Sequence, residues 1–266
     1  MTPDDFDIIN YPYVLPDKKP KRICVPKQQN VIGTLIKTAR PWEYGQVIDL
    51  YTAVGKGGSF VEVGANIGSD TILACDFFKM CYCFEPLAEH VALIQKTLEL
   101  NQVTNVQVFP FAVSDQCGKS HFYLGAKGNT GMGSLKPNFP TMERLEQEVE
   151  VVTLDNQMPP EVKDVTFIHV DTEGHDVKVL QGARRFIERQ TQRPMIKLEF
   201  QPRSMQLHGS GVADLIAFMD EMKYGPLFYA SGVLVPLSYS ILMEMFYLWR
   251  GTLGWIDIIL APQPGK

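Results

Sequence analysis

Phe60-Val61-Glu62-Val63-Gly64-Ala65-Asn66-Ile67-Gly68, followed by Cys81-Tyr82-Cys83-Phe84-Glu85-Pro86, decides the fold. An apolar strand ends in an acidic, glycine-spaced loop, a helix follows, and a second short strand ends in the carboxylate of Glu85, about twenty residues past Gly64. That order is the βαβ unit of nucleoside-binding folds. A dinucleotide site uses Gly-x-Gly-x-x-Gly to close the backbone and a helix N-terminus around a pyrophosphate. The pattern in this chain is Glu-x-Gly-x-x-x-Gly, with Asn66 where the second glycine would stand, and it suits a ligand without phosphate. Gly64 and Gly68 permit close backbone approach, and Glu85 accepts hydrogen bonds from both hydroxyls of a ribose. S-adenosylmethionine fits this description, with Glu62, Gly64, Asn66, Gly68 and Glu85 as expected contacts. The plainer reading is that the two glycines only shape a strand-to-helix turn and that Glu85 caps the next helix.

Outward from this unit the βα alternation continues. A helix is expected over Asp70 to Lys79, another over Ala88 to Leu100, and a strand over Val106 to Phe111. His121 to Leu124 and Val149 to Leu154 read as short strands flanking a glycine-rich span, Gly125 to Met142, long enough to serve function. Val165 to Val170 is an almost wholly apolar strand with His169 inside it. Helices over Asp176 to Glu188 and Asp214 to Lys223, a strand over Pro194 to Phe200, and apolar stretches Leu227 to Pro236 and Trp255 to Leu260 complete the series. The expected fold is α/β, a doubly wound, seven-stranded, mostly parallel sheet with helices on both faces and at least one antiparallel closing strand. Pro41-Trp42 opens a helix that Gly55, Gly57 and Gly58 stop. Residues 1–40, interrupted by Pro12, Pro16, Pro20 and Pro26, read as an extended arm. Residues 41–266 read as a single domain, with a core over 58–201 and a closing, substrate-side segment over 202–266.

The chain has 266 residues, 45% of them hydrophobic, and a formal net charge of −5, so it has ample core and no global pull toward nucleic acid or anionic membrane. No apolar run approaches the roughly 20 residues of a membrane span. The five cysteines are scattered, and the acidic, proline-bearing start lacks the basic and apolar regions of a secretory signal, which implies a reducing, cytoplasmic setting. Cys81 and Cys83 share one strand face as core residues, and no Cys or His pairing has zinc-site spacing.

Phe167-Ile168-His169-Val170-Asp171-Thr172-Glu173-Gly174-His175-Asp176 is the second dense polar group. Ligands of open α/β sheets bind beyond the carboxyl ends of the strands, so Asp171 and Glu173 should open onto the same crevice as Gly64 and Glu85. At this point the chain resembles the FkbM family of S-adenosylmethionine-dependent methyltransferases. The matching segments are Phe60 to Ile67, Phe84-Glu85-Pro86, Ala112-Val113-Ser114-Asp115, Val152-Thr153-Leu154-Asp155, Asp171-x-Glu173-Gly174, Val179-Leu180-x-Gly182-Ala183 and Leu198-Glu199, across about residues 58 to 201. The resemblance implies a Rossmann-like class I methyltransferase fold, with Ser114, Asp115 and Asp171 joining the cofactor contacts. It also implies O-methylation of a hydroxyl on a sugar or secondary metabolite. Lys often replaces His169 and Glu replaces Asp176 in that family, and residues 1–40 and the last 65 lie outside the likeness.

Methyl transfer to a neutral hydroxyl needs alignment in a dry cleft and a base within hydrogen-bond reach. Asp171, Glu173 and His169 are the expected catalytic residues, with His175 a further candidate base. Asp171 or Thr172 has an alternative use as a helix N-cap, and His169 as a buried core histidine. No metal ligand set is assigned from spacing, although Asp171 and Glu199 at adjacent strand ends would suit Mg²⁺ in a catechol-type variant. A non-catalytic binding protein on the same fold is the other alternative. The expected partner is a small-molecule acceptor, with neither nucleic acid nor membrane. Phe228, Tyr229, Phe246, Tyr247 and Trp249 would wall the acceptor pocket, or the run Met243 to Trp249 would form a homodimer interface.

Overall fold

The computed structural model describes residues 6–11, 19–27, 41–55, 57–125, 130–138, 143–230 and 232–263. In chain order the first elements are β1 (Phe6–Asn10), β2 (Arg22–Pro26), α1 (Pro41–Val54), β3 (Ser59–Val63), α2 (Ser69–Ala74), β4 (Met80–Phe84), α3 (Ala88–Leu100) and β5 (Val106–Phe109). Next come β6 (Ala112–Val113), β7 (Gly118–Leu124), β8 (Glu143–Val152), α4 (Leu154–Gln157), β9 (Val165–Val170), α5 (Asp176–Gln181), α6 (Arg184–Glu188) and β10 (Met195–Phe200). The chain closes with α7 (Pro202–Leu207), α8 (Val212–Met222), β11 (Tyr224–Ala230), β12 (Val233–Pro236), α9 (Tyr239–Trp249) and β13 (Ile256–Pro262).

The main sheet has the order β12-β11-β13-β10-β9-β3-β4-β5. Strands β5, β4, β3, β9 and β10 run parallel, and β13 enters antiparallel between β10 and β11. The sheet therefore has eight strands rather than the expected seven. The stretch Leu227 to Pro236 turns back on itself near Gly232, whose φ of +88° suits a residue without a Cβ, and its second half pairs with its first as an edge hairpin. A second, three-stranded sheet of order β6-β8-β7 stands beside the main one.

Strand alternation sorts the core into two layers. Val61, Val63, Ile168 and Val170 face one side with Val177, Leu180, Phe186 and Phe218 of α5, α6 and α8. Phe60, Cys81, Cys83 and Phe167 face the other with Tyr51, Ile72 and Leu93 of α1, α2 and α3. Each fully buried large side chain of this kind contributes about 1.5–3 kcal/mol. Within the segment expected as an arm, β1 and β2 form an antiparallel ladder, and Ile23, Cys24 and Val25 lie wholly inside the second layer. Cys24 N donates to Thr97 Oγ1 of α3 at 3.0 Å, which ties the hairpin to the helix.

Several helices differ from expectation, and α2 ends at Ala74 rather than Lys79. The helix expected over Asp176 to Glu188 is broken at Gly182-Ala183. Gly182 O accepts from Asp155 N at 3.0 Å, and Phe186 N, which a continuous helix would aim at Gly182 O, donates to Asp155 Oδ1 at 2.6 Å. Asp155 thus takes both partners of one helical bond. The apolar C-terminal stretch is a helix, α9, which buries Leu242 and Phe246 and leaves Ile241, Met243, Tyr247 and Leu248 exposed. Among the described residues no helix is long and apolar enough to cross a membrane.

Candidate cofactor and active site

The carboxyl ends of β3, β4 and β9 open onto a cavity of about 220 Å³. Its lining includes Glu62, Gly64, Asn66, Asp70, Glu85, His90, His169, Asp171 and His175. Phe84, Phe111, Ala112, Val113, Phe122 and Leu135 supply apolar walls, and Gly131, Gly133 and Ser134 close one side. Among the described residues, four carboxylates line the cavity and no lysine or arginine does. Of the glycine-rich span, the described residues 130–138 reach the cavity, while Asn129 lies outside the described residues. Phe228, Tyr229, Phe246, Tyr247 and Trp249 are not in the lining, so the expected aromatic wall is supplied instead by Phe84, Phe111 and Phe122.

Glu85 is buried. Its Oε2 accepts from Asn66 N at 2.8 Å, and its Oε1 accepts from Leu87 N at 3.0 Å, at the start of α3, with His90 Nδ1 at 3.3 Å. The carboxylate therefore clamps the two loops together while its remaining lone pairs face the cavity. Asn66 adopts a left-handed conformation, φ 51°, which asparagine tolerates better than most side chains, and its Oδ1 accepts from Ile67 N. The glycines have reasons in the protein itself. A Cβ on Gly64, whose φ is +91°, would lie 1.8 Å from the Asp171 carbonyl oxygen, and one on Gly68 would lie 3.1 Å from Ile94 Cγ1. Gly68 begins α2 outside the cavity lining.

Register places Cys83, Glu62, His169 and Lys197 in a row across β4, β3, β9 and β10. Lys197 Nζ is 2.9 Å from Asp257 Oδ2 and 3.1 Å from His169 Nε2. An ammonium can only donate, so Nε2 is the bare nitrogen of His169 and Nδ1 carries the proton. Nδ1 lies 3.3 Å from Asp70 Oδ2, an ion-pair distance, without a hydrogen bond. The nitrogen that would have to take a proton, Nε2, already accepts from Lys197, so His169, although it lines the cavity, is not poised as a base. Burial opposes the charges of this row, yet His169 and Lys197 hold Asp70 below the usual carboxylate range, and Asp257 and Asp70 hold Lys197 above the usual lysine value. Burial, then the charge of Asp70, pushes Glu62 well above its usual value, and Thr71 Oγ1 donates to Glu62 Oε2.

Asp171 N donates to Val63 O at 2.9 Å, and the residue is exposed at the cleft. The desolvation that its surroundings impose raises its carboxyl, against the opposing charge of Lys197. Neither Asp171 nor Thr172 caps α5, whose N-cap is His175. Glu173 stands outside the cavity lining, in a left-handed backbone with φ 55°, beside Glu199. Burial, then Asp171, raises Glu173 to about 8, and burial with Asp171 and Glu173 raises Glu199 to about 10.

Ser114 and Asp115 are turned from the cavity. Asp115 pairs with Lys178 at 3.0 Å, and Ser114 Oγ lies 2.8 Å from His175 Nε2. A buried chain continues from His175 Nδ1 to His208 Nδ1 at 2.8 Å, and from His208 Nε2 to Ser134 Oγ at 3.1 Å and Asn138 Oδ1 at 3.2 Å. Asn138 Nδ2 donates to Glu173 O at 2.6 Å, so the 130–138 segment is fastened to the loop after β9. A bond between two Nδ1 atoms needs one proton, so one ring is the Nδ1–H tautomer and the other the Nε2–H tautomer. Burial lowers His175 to about 4 and His208 to about 3. Nitrogen-15 spectra are expected to show both rings neutral, in opposite tautomers, from pH 8 to about pH 5. A midpoint near 6.5 for either would contradict the chain.

Lys197, Asp257, Asp70, His208 and Asn138 were not singled out from the sequence. Lys197 carried a signal, a lysine between Ile196 and Leu198 inside a largely apolar strand. The others depend on contacts between distant segments.

The sheet order, with one antiparallel strand inserted between β10 and β11 and a cavity at the carboxyl ends of β3, β4 and β9, defines a Rossmann-like class I methyltransferase fold. The family model for the FkbM methyltransferase domain matches residues 62–225, and the chain belongs to that family of S-adenosylmethionine-dependent methyltransferases. By sequence, no curated protein matches the chain. Among solved structures it is similar to the Streptococcus mutans protein SMU.1697c in complex with SAH, at 12% identity and a TM-score of 0.48, covering 83% of this chain and 97% of that one. It is also similar to an rRNA methylase from Streptococcus thermophilus, at 10% identity and a TM-score of 0.48, covering 85% and 99%. A precorrin-6y C5,15-methyltransferase from Geobacter metallireducens follows at 11% identity and a TM-score of 0.44, covering 85% and 92%. Similarity at this level identifies no substrate.

Proposed function

We propose that the cavity binds S-adenosylmethionine and that the protein methylates a hydroxyl oxygen of a small molecule, such as a sugar or secondary metabolite. The observation that carries the cofactor assignment is the acidic character of the lining: Glu62, Asp70, Glu85 and Asp171, with no lysine or arginine among the described residues. Such a lining favours a ligand bearing a sulfonium and an ammonium, and repels a pyrophosphate or a nucleic-acid backbone. Glu85, at the end of β4, is the residue placed to accept from a ribose, and Asn66 and the Gly64 loop flank it. The apolar walls around Phe84, Phe111 and Val113 suit a flat purine.

When bound, S-adenosylmethionine would supply an electrophilic methyl group, its sulfur leaving with the electrons of the broken carbon–sulfur bond. Asp171 would take the proton that the acceptor hydroxyl loses as its oxygen bonds to that carbon. Desolvation raises the Asp171 carboxyl, which makes it a better proton acceptor, while the charge of nearby Lys197 acts the other way. The 130–138 segment, latched through Asn138 and His208, keeps water from one side of the cleft.

Glu85→Gln tests the cofactor assignment. The substitution keeps the size of the side chain and removes a charged acceptor worth about 1.5–3 kcal/mol, so affinity for S-adenosylhomocysteine is expected to fall about tenfold or more by calorimetry. Unchanged affinity in a folded variant would remove Glu85 from the site.

A further inference from the structure

We propose that Asp171, Glu173 and Glu199, at the carboxyl ends of β9 and β10, hold a divalent cation of the hard, oxygen-preferring kind. One carboxylate oxygen from each lies within 4.8 Å of the other two. Two ligands of one ion are separated by at most twice the metal–oxygen distance, about 4.2 Å for Mg²⁺ and about 4.6–5.2 Å for Ca²⁺. The three oxygens are close enough to converge on one such ion when the side chains draw in to ligand distance. Three carboxylates and no sulfur or imidazole at the cluster select Ca²⁺, Mn²⁺ or Mg²⁺ over zinc or copper.

Three acidic side chains alone would not make a site, and Asp176 supplies the independent observation. It is fully buried. Its Oδ2 accepts from Thr172 Oγ1 and Gly174 N, both at 3.1 Å, whereas its Oδ1 is buried without a hydrogen-bond partner. Those two donors belong to the loop after β9, so the buried Asp176 carboxyl lies against the stretch of chain that carries Asp171 and Glu173. Glu199 Oε2 and Gln201 Oε1 are likewise buried without partners. Unpaired buried oxygens of this kind are costly, and a shared cation is the group that would satisfy several of them at once. No protein cation does so. Among the described residues, no ion pair joins Glu173 or Glu199 to a lysine, arginine or histidine, and Lys197, the nearby ammonium, is held by Asp257 and His169.

The Glu62, Asp70 and His169 group is close-set as well, with Thr71 on Glu62 Oε2 and Lys197 on His169 Nε2, but it belongs to the cavity already described. The Asp171 cluster sits at the cavity's edge, because Asp171 alone of the three lines it. An ion there has its open positions toward the cleft, where it would bind the oxygens of the acceptor and make a hydroxyl more acidic. Only that use rests on the methyltransferase reading, since cation binding itself stands without it.

Calorimetric titration of the chelator-treated full chain with CaCl₂, MnCl₂ and MgCl₂ separately tests the site. One ion per chain is expected for at least one of the three metals, with a dissociation constant on the order of 10⁻⁴ M or tighter. Glu199→Gln and Glu173→Gln should each weaken it by about tenfold or more. Both variants keep side-chain size, and each is checked for folding by its melting curve and its binding of S-adenosylhomocysteine. Absence of binding by all three metals at millimolar concentration overturns the proposal, as does binding that both folded variants retain unchanged. If the wild-type chain binds a metal but not S-adenosylhomocysteine, the cation site stands and the cofactor assignment fails.

Discussion

Asp171→Asn is expected to lower the rate of methyl transfer about a hundredfold or more, the loss that accompanies removal of a positioned general base, with affinity for S-adenosylhomocysteine changed about threefold or less. The residue follows from elimination among the three candidates. His169 has Lys197 on one ring nitrogen and Asp70 facing the other. Glu173 lies off the cavity lining, beside Glu199. Asp171 alone lines the cavity with a carboxylate open to the cleft. Asparagine preserves its shape and cannot take the proton. The measurement is a single-turnover rate with labelled methyl donor and an accepted substrate, beside calorimetry on the same preparation. A rate within about tenfold of the natural chain would move the base elsewhere, and a parallel collapse of cofactor affinity would make Asp171 a binding residue.

Gly64→Val is expected to prevent folding rather than to weaken cofactor binding selectively. A Cβ at this position would stand 1.8 Å from the carbonyl oxygen of Asp171, which is backbone and cannot swing aside, and the φ of +91° is one that a β-branched side chain rarely adopts. Separating β3 from β9 at this point would break the adjoining bond from Asp171 N to Val63 O. The expected cost is about 4 kcal/mol or more, a large fraction of a total stability of about 5–15 kcal/mol. Soluble yield and urea unfolding read the effect. A variant of natural stability that has lost only cofactor affinity would contradict the close approach. Gly64 is therefore a poor probe of the ligand, and Glu85 is the better one.

The parts of this fold that were legible in the sequence are those set by local pattern. The apolar run into Gly64 and the carboxylate at Glu85 located β3, α2 and β4, and α3 and β9 carry the boundaries that periodicity gives them. What was not legible depends on partners far away in the chain. The break between α5 and α6 comes from Asp155, which is held against Gly182 and Phe186 by β8 and α4. The helix α9 is so uniformly apolar that its spacing has no polar face to betray it, and two of its inward residues, Leu242 and Phe246, are recognisable only once the sheet is in place. The eighth strand follows from a turn at Gly232 inside a stretch that reads as continuous.

The site divides in the same way. Glu62, Gly64, Asn66, Glu85 and Asp171 come together at the cavity because they occupy strand ends in a known order. Ser114 and Asp115 follow from resemblance alone, and in the structure they brace His175 and Lys178 from outside the lining. The histidine chain through His208 links residues up to 74 positions apart, from Ser134 to His208, a pairing no local pattern encodes.

A crystal structure of the chain with S-adenosylhomocysteine tests the central assignment most directly. The account predicts the ribose hydroxyls against Glu85, the amino-acid portion near Glu62 and Asp70, and the sulfur facing Asp171. Density for the molecule outside the ends of β3, β4 and β9, or a ribose that leaves Glu85 untouched, would contradict it.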